Sequence, residues 1–273
     1  MNEIDRFLRE DLGIEGDITS DALFTKQTAR AIIISKEDCI VAGLEEARQV
    51  FKTTGATAKS LVKDGSEVKK GTTVVEIKGP ARSILKGERL ALNIIGRMSG
   101  IATETKKIVE RCHTINPRVT IAATRKTTPG FRIFEKKAII LGGGEPHRYG
   151  LYDAVLIKDN HLRIIGSVEE AIKTVKSKIR NKIIEIEVEN ESDALSAAKM
   201  NVDVIMLDNL HPRTGKIIAR KIREINSGIL IEVSGGITRD NIDKYASFAD
   251  RISLGYLTHS IKNKDFSLEI FKN

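Results

Sequence analysis

The apolar positions of this chain change rhythm about a third of the way along. In the first part, helical spacing alternates with short extended runs. Asn2 can cap a helix that presents Ile4, Phe7 and Leu8 on one face. Leu44, Ala47, Val50 and Phe51 recur at helical spacing after the Ala42-Gly43 turn. Around them lie extended stretches at Ala31–Ser35, Ala56–Val62 and Thr73–Ile77, punctuated by Gly55, Gly65, Gly71 and Gly79. This pattern predicts a small mixed α/β domain. A long helical region follows. Glu88–Gly96 carries Leu90, Leu92, Ile94 and Ile95, with Arg89, Asn93 and Arg97 on one face. Ser99-Gly100 is expected to break it, and Ile101–Ile115 to form a second helix.

A different rhythm then begins. Six short apolar runs appear in order: VTIAAT, DAVLIKD, IIEIEVEN, VDVIMLDN, ILIEVSGG and RISLG. The gaps are long enough for crossover helices, and helical patterns occupy Val168–Val175, Asp193–Met200, Arg213–Ile225 and Arg239–Tyr245. Strand alternating with helix predicts a parallel sheet. Six units are two short of a closed eight-stranded barrel. An open doubly wound sheet is the alternative. The expected division is an N-terminal domain over 1–102, joined by the tail 262–273, and a catalytic domain over 103–261.

Composition narrows the class. In 273 residues, 41% are hydrophobic and 30% charged, an ordinary globular balance. No apolar run approaches the roughly 18 residues of a membrane helix. The opening MNEIDRFLREDLG is charged and has no signal-peptide core after it, so a cytoplasmic protein is expected. Cys39 and Cys112 lack metal-ligand spacing and read as buried small hydrophobes. The formal charge of +8 admits nucleic acid, a membrane surface or an anionic small substrate. Acids and bases are mixed along the chain and aromatics are only 4%, which argues against nucleic acid.

The chemistry collects where each run ends. VTIAAT leads to Arg125 and Lys126, and DAVLI to Lys158 and His161. IIEIEVEN carries Glu185, Glu187 and Glu189, and VDVIML leads to Asp208. ILIEV leads to Ser234-Gly235-Gly236, and RISLG ends in Ser253 and Gly255. A barrel enzyme builds its active site at this end. Arg125, Lys126, His147, Arg148 and Lys158 form a cationic set that can hold a dicarboxylate, because a guanidinium fork matches a carboxylate. Glu187, Glu189 and Asp208 form an acidic set of the kind that holds magnesium beside a phosphorylated substrate. The two small glycine loops suit phosphate oxygens. His147, in GGGEPHR, is expected to touch substrate. His161 either orients Lys158 or caps the next turn. A non-enzymatic binding module would not require both charged sets.

Taken in order, TRKTTPG, GGGEPHR-x-GL-x-DAVLIKDNH, EIEVEN, IMLDN, SGGIT and DRISLGYLTHS resemble the quinolinate phosphoribosyltransferase family. EDLGIEGDITSDALF and GERLALNIIGRMSGIAT are similar to that family as well, so the resemblance covers essentially the whole chain. It implies an incomplete parallel α/β barrel with an N-terminal α/β sandwich domain. It implies transfer of phosphoribosyl from phosphoribosyl pyrophosphate to quinolinate with decarboxylation. By resemblance, Arg125, His147, Arg148 and Lys158 hold the two carboxylates. Lys126, Glu187 and Asp208 act on the phosphoribosyl donor and its Mg²⁺, and Ser234, Gly235, Gly236, Ser253 and Gly255 bind phosphate. Lys126, Lys158, Glu187 and Asp208 are thus the expected catalytic residues, and Glu187 and Asp208 the metal ligands. Arg89 looks like an arginine donated across a homodimer with shared sites, and a higher oligomer such as a hexamer is allowed. Pro146 stands where many members carry Asn. Two related alternatives share the fold: a molybdenum-transport-associated relative and a nicotinate phosphoribosyltransferase.

Overall fold

The structure, a computed structural model, describes residues 2–272. The chain divides into two compact units. One comprises Met1–Lys106, Thr127–Gly143 and Leu257–Asn273, and the other Lys107–Lys126 and Gly144–Tyr256. The described residues form twelve strands. They are β1 (Thr28–Ser35), β2 (Cys39–Ile40), β3 (Thr57–Ser60), β4 (Glu67–Val68), β5 (Thr73–Pro80) and β6 (Thr120–Ala122). There follow β7 (Val155–Ile157), β8 (Ile184–Val188), β9 (Val204–Asp208), β10 (Leu230–Ser234), β11 (Arg251–Ser253) and β12 (Phe266–Lys272).

The first unit is built on an antiparallel sheet in the order β12-β1-β5-β3. Along β1, Ala29, Ala31, Ile33 and Ser35 are buried while Thr28 and Arg30 are exposed, the period of two that a sheet covered on one face requires. The helix Leu44–Thr54 turns Leu44, Ala47, Val50 and Phe51 inward, and it packs on β3 and β5. The opening helix, Glu3–Leu12, is capped by Asn2, whose side chain accepts from the Asp5 N–H at 2.8 Å.

The expected break at Ser99-Gly100 does not occur. Ala81–His113 is one helix of 33 residues. Gly96 and Gly100 serve another purpose within the first unit: they let the segment 262–264 lie directly on the helix. A Cβ at Gly100 would sit 2.4 Å from the Lys262 carbonyl oxygen, and one at Gly96 2.8 Å from that of Lys264. The Lys264 N–H donates to the Gly96 carbonyl at 2.9 Å. Gly100→Ala should therefore destabilise the protein. Overpacking of about 1–3 kcal/mol against a backbone atom exceeds the ~1 kcal/mol gained in helix propensity. A thermal midpoint at or above that of wild type would show that the tail exerts no such pressure.

The segment 127–143 belongs to the first unit for a visible reason. Its helix Arg132–Leu141, which the apolar pattern did not predict, buries Glu135 completely. Glu135 accepts from Arg97 at 2.8 Å and from the Thr128 N–H and hydroxyl at 3.0 Å each. A buried carboxylate needs this degree of satisfaction.

The second unit is a six-stranded parallel sheet in the order β6-β11-β10-β9-β8-β7. Its first strand pairs with its last, which is the closure of a barrel and not the order of a doubly wound sheet. The gap falls between β6 and β7. There Glu145 alone adds a parallel bridge to the free edge of β6, its N–H donating to Ile121 and its carbonyl accepting from Ala123. Alternation sorts the strand residues. Ile186, Val188, Ile205, Leu207, Ile231, Val233 and Ile252 are buried on the helix-covered side. Glu185 and Glu187 of β8, Met206 and Asp208 of β9, Glu232 and Ser234 of β10, and Arg251 and Ser253 of β11 take the other, concave side.

Candidate active site

The concave side carries charge in two layers. The upper layer lies at the C-terminal ends of the strands. Lys158 follows β7 and its Nζ donates to Glu187 Oε2 at 2.9 Å. Asp208 ends β9 beside them, with Asn209 Nδ2 donating to its Oδ2 at 2.6 Å. Burial, then the charges of Glu187 and Glu189, push the Asp208 carboxyl above its ordinary pKa, while Lys158 pulls it down. Carboxylates that repel each other at a strand-end rim gain from a cation. Glu187 is buried within β8, Glu189 lies beyond the strand's end at Val188 and is exposed, and Asp208 is half-buried, which separates the acidic candidates that sequence left together.

The cationic set belongs to the same unit. Arg148 is 9% exposed, and its Nη1 donates to the Ala154 carbonyl at 3.3 Å. Burial, then the charge of Arg125, lowers its pKa, so these two guanidiniums are held close enough to repel. Lys126 is exposed, its N–H donating to Thr124 Oγ1 at 3.1 Å. His161 caps the turn after β7: its Nδ1 accepts from the Lys158 N–H at 2.8 Å. In the glycine loops, a Cβ on Gly235 would meet Asn209 Oδ1 at 2.3 Å, and the Asn209 N–H donates to the Ser234 carbonyl at 3.0 Å. Gly235, at φ +80, thus lets the loops after β9 and β10 touch. Gly255 follows β11 in the second glycine loop.

The lower layer was not foreseen. His147 Nε2 lies 3.3 Å from Glu185 Oε2 and 3.4 Å from Glu232 Oε2. Arg251 binds Glu232 and Glu145, and the Ser253 hydroxyl donates to Glu232 Oε1. The Ser253 side chain therefore faces a carboxylate and is 4% exposed. The signal for Glu232 and Arg251 was present: a glutamate within the apolar run ILIEV, and an arginine opening RISLG.

His147, Glu185 and Glu232 place one ligand-type atom each within 4.8 Å of one another. The histidine tautomer speaks against a metal there. Its Nδ1 accepts from the Arg148 N–H at 2.8 Å, so the proton is on Nε2, which faces the two carboxylates. Burial resists charge on this ring, but the carboxylates outweigh it and raise its pKa to about 9. Full protonation would turn Nδ1–H against the Arg148 N–H. Burial pushes the Glu185 carboxyl upward as well, against the pull of His147. Glu232 is likewise buried, yet His147, Ser253 and Arg251 hold it down and ionised.

Arg89 belongs to the first unit. It lines a cavity of about 770 Å³ with Phe7, Asn93, Arg97 and Phe131, and its side chain is exposed. Arg97 on the same helix face is committed to Glu135. No helix among the described residues is long and apolar enough to cross a membrane.

A parallel barrel whose rim gathers guanidiniums beside clustered carboxylates defines an α/β-barrel enzyme for a small anionic substrate. Residues 101–269 match the C-terminal domain of quinolinate phosphoribosyl transferase, and residues 17–99 its N-terminal domain. The chain belongs to the quinolinate phosphoribosyl transferase family. A protein of Archaeoglobus fulgidus described as a probable nicotinate-nucleotide pyrophosphorylase (carboxylating) is 43% identical over 263 residues, covering 94% of this chain and 99% of that one. One of the same description from Bacillus subtilis is 41% identical over 271 residues, covering 98% and 92%. The crystal structure of nicotinate-nucleotide pyrophosphorylase from Ehrlichia chaffeensis superposes with a TM-score of 0.92 at 35% identity, covering 98% of this chain and 97% of that one.

Proposed function

We propose that this chain transfers the phosphoribosyl group of phosphoribosyl pyrophosphate to quinolinate with decarboxylation. Nicotinate mononucleotide, pyrophosphate and CO₂ are the products, in NAD biosynthesis. The observation that carries this reading is the crowding of Arg125 and Arg148 at the strand-end rim that also holds Lys158, Glu187 and Asp208. Two guanidiniums that repel each other are relieved by a dianion. A dicarboxylate supplies that charge where nicotinate supplies half of it, which favours this reading over a nicotinate-specific relative. The test is incubation with phosphoribosyl pyrophosphate, Mg²⁺ and either quinolinate or nicotinate, following CO₂ and mononucleotide. Mononucleotide from nicotinate and none from quinolinate would overturn it.

Departure of pyrophosphate leaves positive charge on the anomeric carbon, an oxocarbenium-like state that nearby carboxylates favour. Glu187 and Asp208 are the nearest such groups in the proposed site. The pyridine nitrogen attacks, and the adjacent carboxylate leaves as CO₂; the electron pair left on that ring carbon is stabilised by the neighbouring pyridinium nitrogen and takes up a proton from water. Lys158, Arg125 and Arg148 orient the dicarboxylate, with Lys126 toward the phosphoribosyl donor. The backbone of Ser234, Gly235, Gly236, Ser253 and Gly255 serves the phosphate; His147 and Ser253 direct their side chains to the lower layer.

The donor set also fits Mg²⁺: two hard carboxylates on adjacent strands, the number this ion takes beside waters and substrate phosphates. Glu187 and Asp208 would hold it, and it would neutralise charge on the pyrophosphate oxygens. Glu187→Gln and Asp208→Asn should cut turnover by about 10²-fold or more, the scale of one lost transition-state contact, with the thermal midpoint retained. Activity should require a divalent cation, and full turnover in excess chelator would remove the metal role. The enzyme is taken as a cytoplasmic homodimer whose site borrows Arg89 of the partner subunit.

A further inference from the structure

The lower layer of charge has no part in the chemistry above, yet it is continuous and reaches the substrate pocket. Arg251 spans two carboxylates. Its Nη2 and Nε lie 2.8 and 3.1 Å from the two oxygens of Glu145, and its Nη1 lies 3.1 Å from Glu232 Oε2. Glu232 is completely buried; Arg251 and the Ser253 hydroxyl donate to it, and His147 Nε2 lies 3.4 Å away. Two of the residues so tied, Glu145 and His147, flank Pro146, and His147 directly precedes Arg148.

The turn they hold needs holding. His147 sits at φ +54, a left-handed conformation that residues with side chains resist. Its imidazole works as a strut. Nε2 points down to Glu232 and Glu185, while Nδ1 accepts from the Arg148 backbone N–H. Glu145 fixes the other end by its bridge to β6.

We propose that the brace Glu145–Arg251–Glu232, acting through His147, is a positioning device that holds the turn carrying Arg148 and thereby sets affinity for the dicarboxylate substrate. The proposal rests on the function proposed above. Phosphoribosyl pyrophosphate is assigned to Lys126, Glu187, Asp208 and the backbone after β10 and β11, which the strand pairing itself holds and which does not lie on the turn carrying Arg148, so the brace should govern one substrate and not the other. Misplacing a binding group by about 1 Å can cost on the order of 10²-fold.

The test is the KM for each substrate in Glu232→Ala. The KM for quinolinate should rise about 10- to 100-fold, with that for phosphoribosyl pyrophosphate within about 3-fold. Glu232→Gln should restore most of the affinity. Its amide oxygen can accept from Arg251 and His147 while its NH₂ donates to the Ser253 hydroxyl. If Glu232→Ala does not fold, Glu145→Ala at the half-exposed end of the brace should give the same selective loss, at about 3- to 10-fold. Equal loss on both substrates, no rescue by Gln, or unchanged KM for quinolinate in a folded variant would overturn the proposal. If wild type itself neither binds quinolinate in calorimetry nor turns it over, the functional reading falls and the brace with it. If wild type does both and the variants match it, only the brace falls.

Discussion

Arg148→Ala should lose quinolinate affinity by about 30-fold to several thousand-fold, and Arg125→Ala by a similar factor, while phosphoribosyl pyrophosphate still binds. The size follows from burial. Removing one partner of a desolvated charge pair costs about 2–5 kcal/mol, and each 1.4 kcal/mol is about tenfold in affinity. Arg148 is 9% exposed, and its bond to the Ala154 carbonyl sets the plane of the guanidinium. Further donors of its fork are then presented in a fixed direction, which is what bidentate recognition needs. The charge of Arg125 bears against Arg148 and is offset in part by Glu185, Asp153 and Glu187, an offset that a bound dianion would add to. Either alanine variant relieves the same repulsion without substrate, so neither should unfold the chain. Calorimetry with quinolinate distinguishes the outcomes, and unchanged affinity in both variants would remove the clamp.

What the sequence disclosed follows from how locally each feature is encoded. The six strands were legible because IIEIEVEN, VDVIMLDN and ILIEVSGG combine β-branched runs with turn residues, and the rim chemistry was legible because it sits next to them. The pairing of β6 with β11 was not, since the first and last strands of a barrel carry no mark of adjacency. Gly96 and Gly100 were misleading. Helix propensity treats glycine as a break, and only the approach of 262–264 reveals why the helix continues through both. The lower charged layer was encoded and overlooked. In IEIEV and LIEVS the apolar residues alternate with Glu185, Glu187 and Glu232, so the same parity that brings Glu187 to the rim places Glu185 and Glu232 deeper on the same concave side. Their partners, His147 and Arg251, lie far away in sequence, and burial of a glutamate is intelligible only once those donors are in place.

Neither Arg89→Ala nor Lys158→Ala should retain appreciable activity alone, yet a mixture of the two should recover about a quarter of the wild-type value. Arg89 is exposed on its helix in the first unit, and among the described residues its guanidinium makes no hydrogen bond or ion pair. Its neighbour one turn on, Asn93, is exposed too, whereas Arg97 beyond it is consumed by Glu135. A solvated arginine of this kind can be deleted at little cost; one that reaches an anion in the partner subunit cannot. Lys158 is paired with Glu187 in the second unit and belongs to the pocket of its own chain. In a symmetric dimer each site would then combine Arg89 of the partner subunit with Lys158 of its own. Random exchange makes about half the dimers mixed, and each mixed dimer has one intact site of two, hence about a quarter of full activity. Subunit exchange is verified by mass labelling of the two variants. If exchange is complete, both variants are inactive alone and no activity returns, Arg89 serves its own subunit. If Arg89→Ala alone keeps full activity, Arg89 is only a solvated helix residue. Recovery near a quarter, with a single class of working site in quinolinate titrations of the mixture, is the result expected of a shared site.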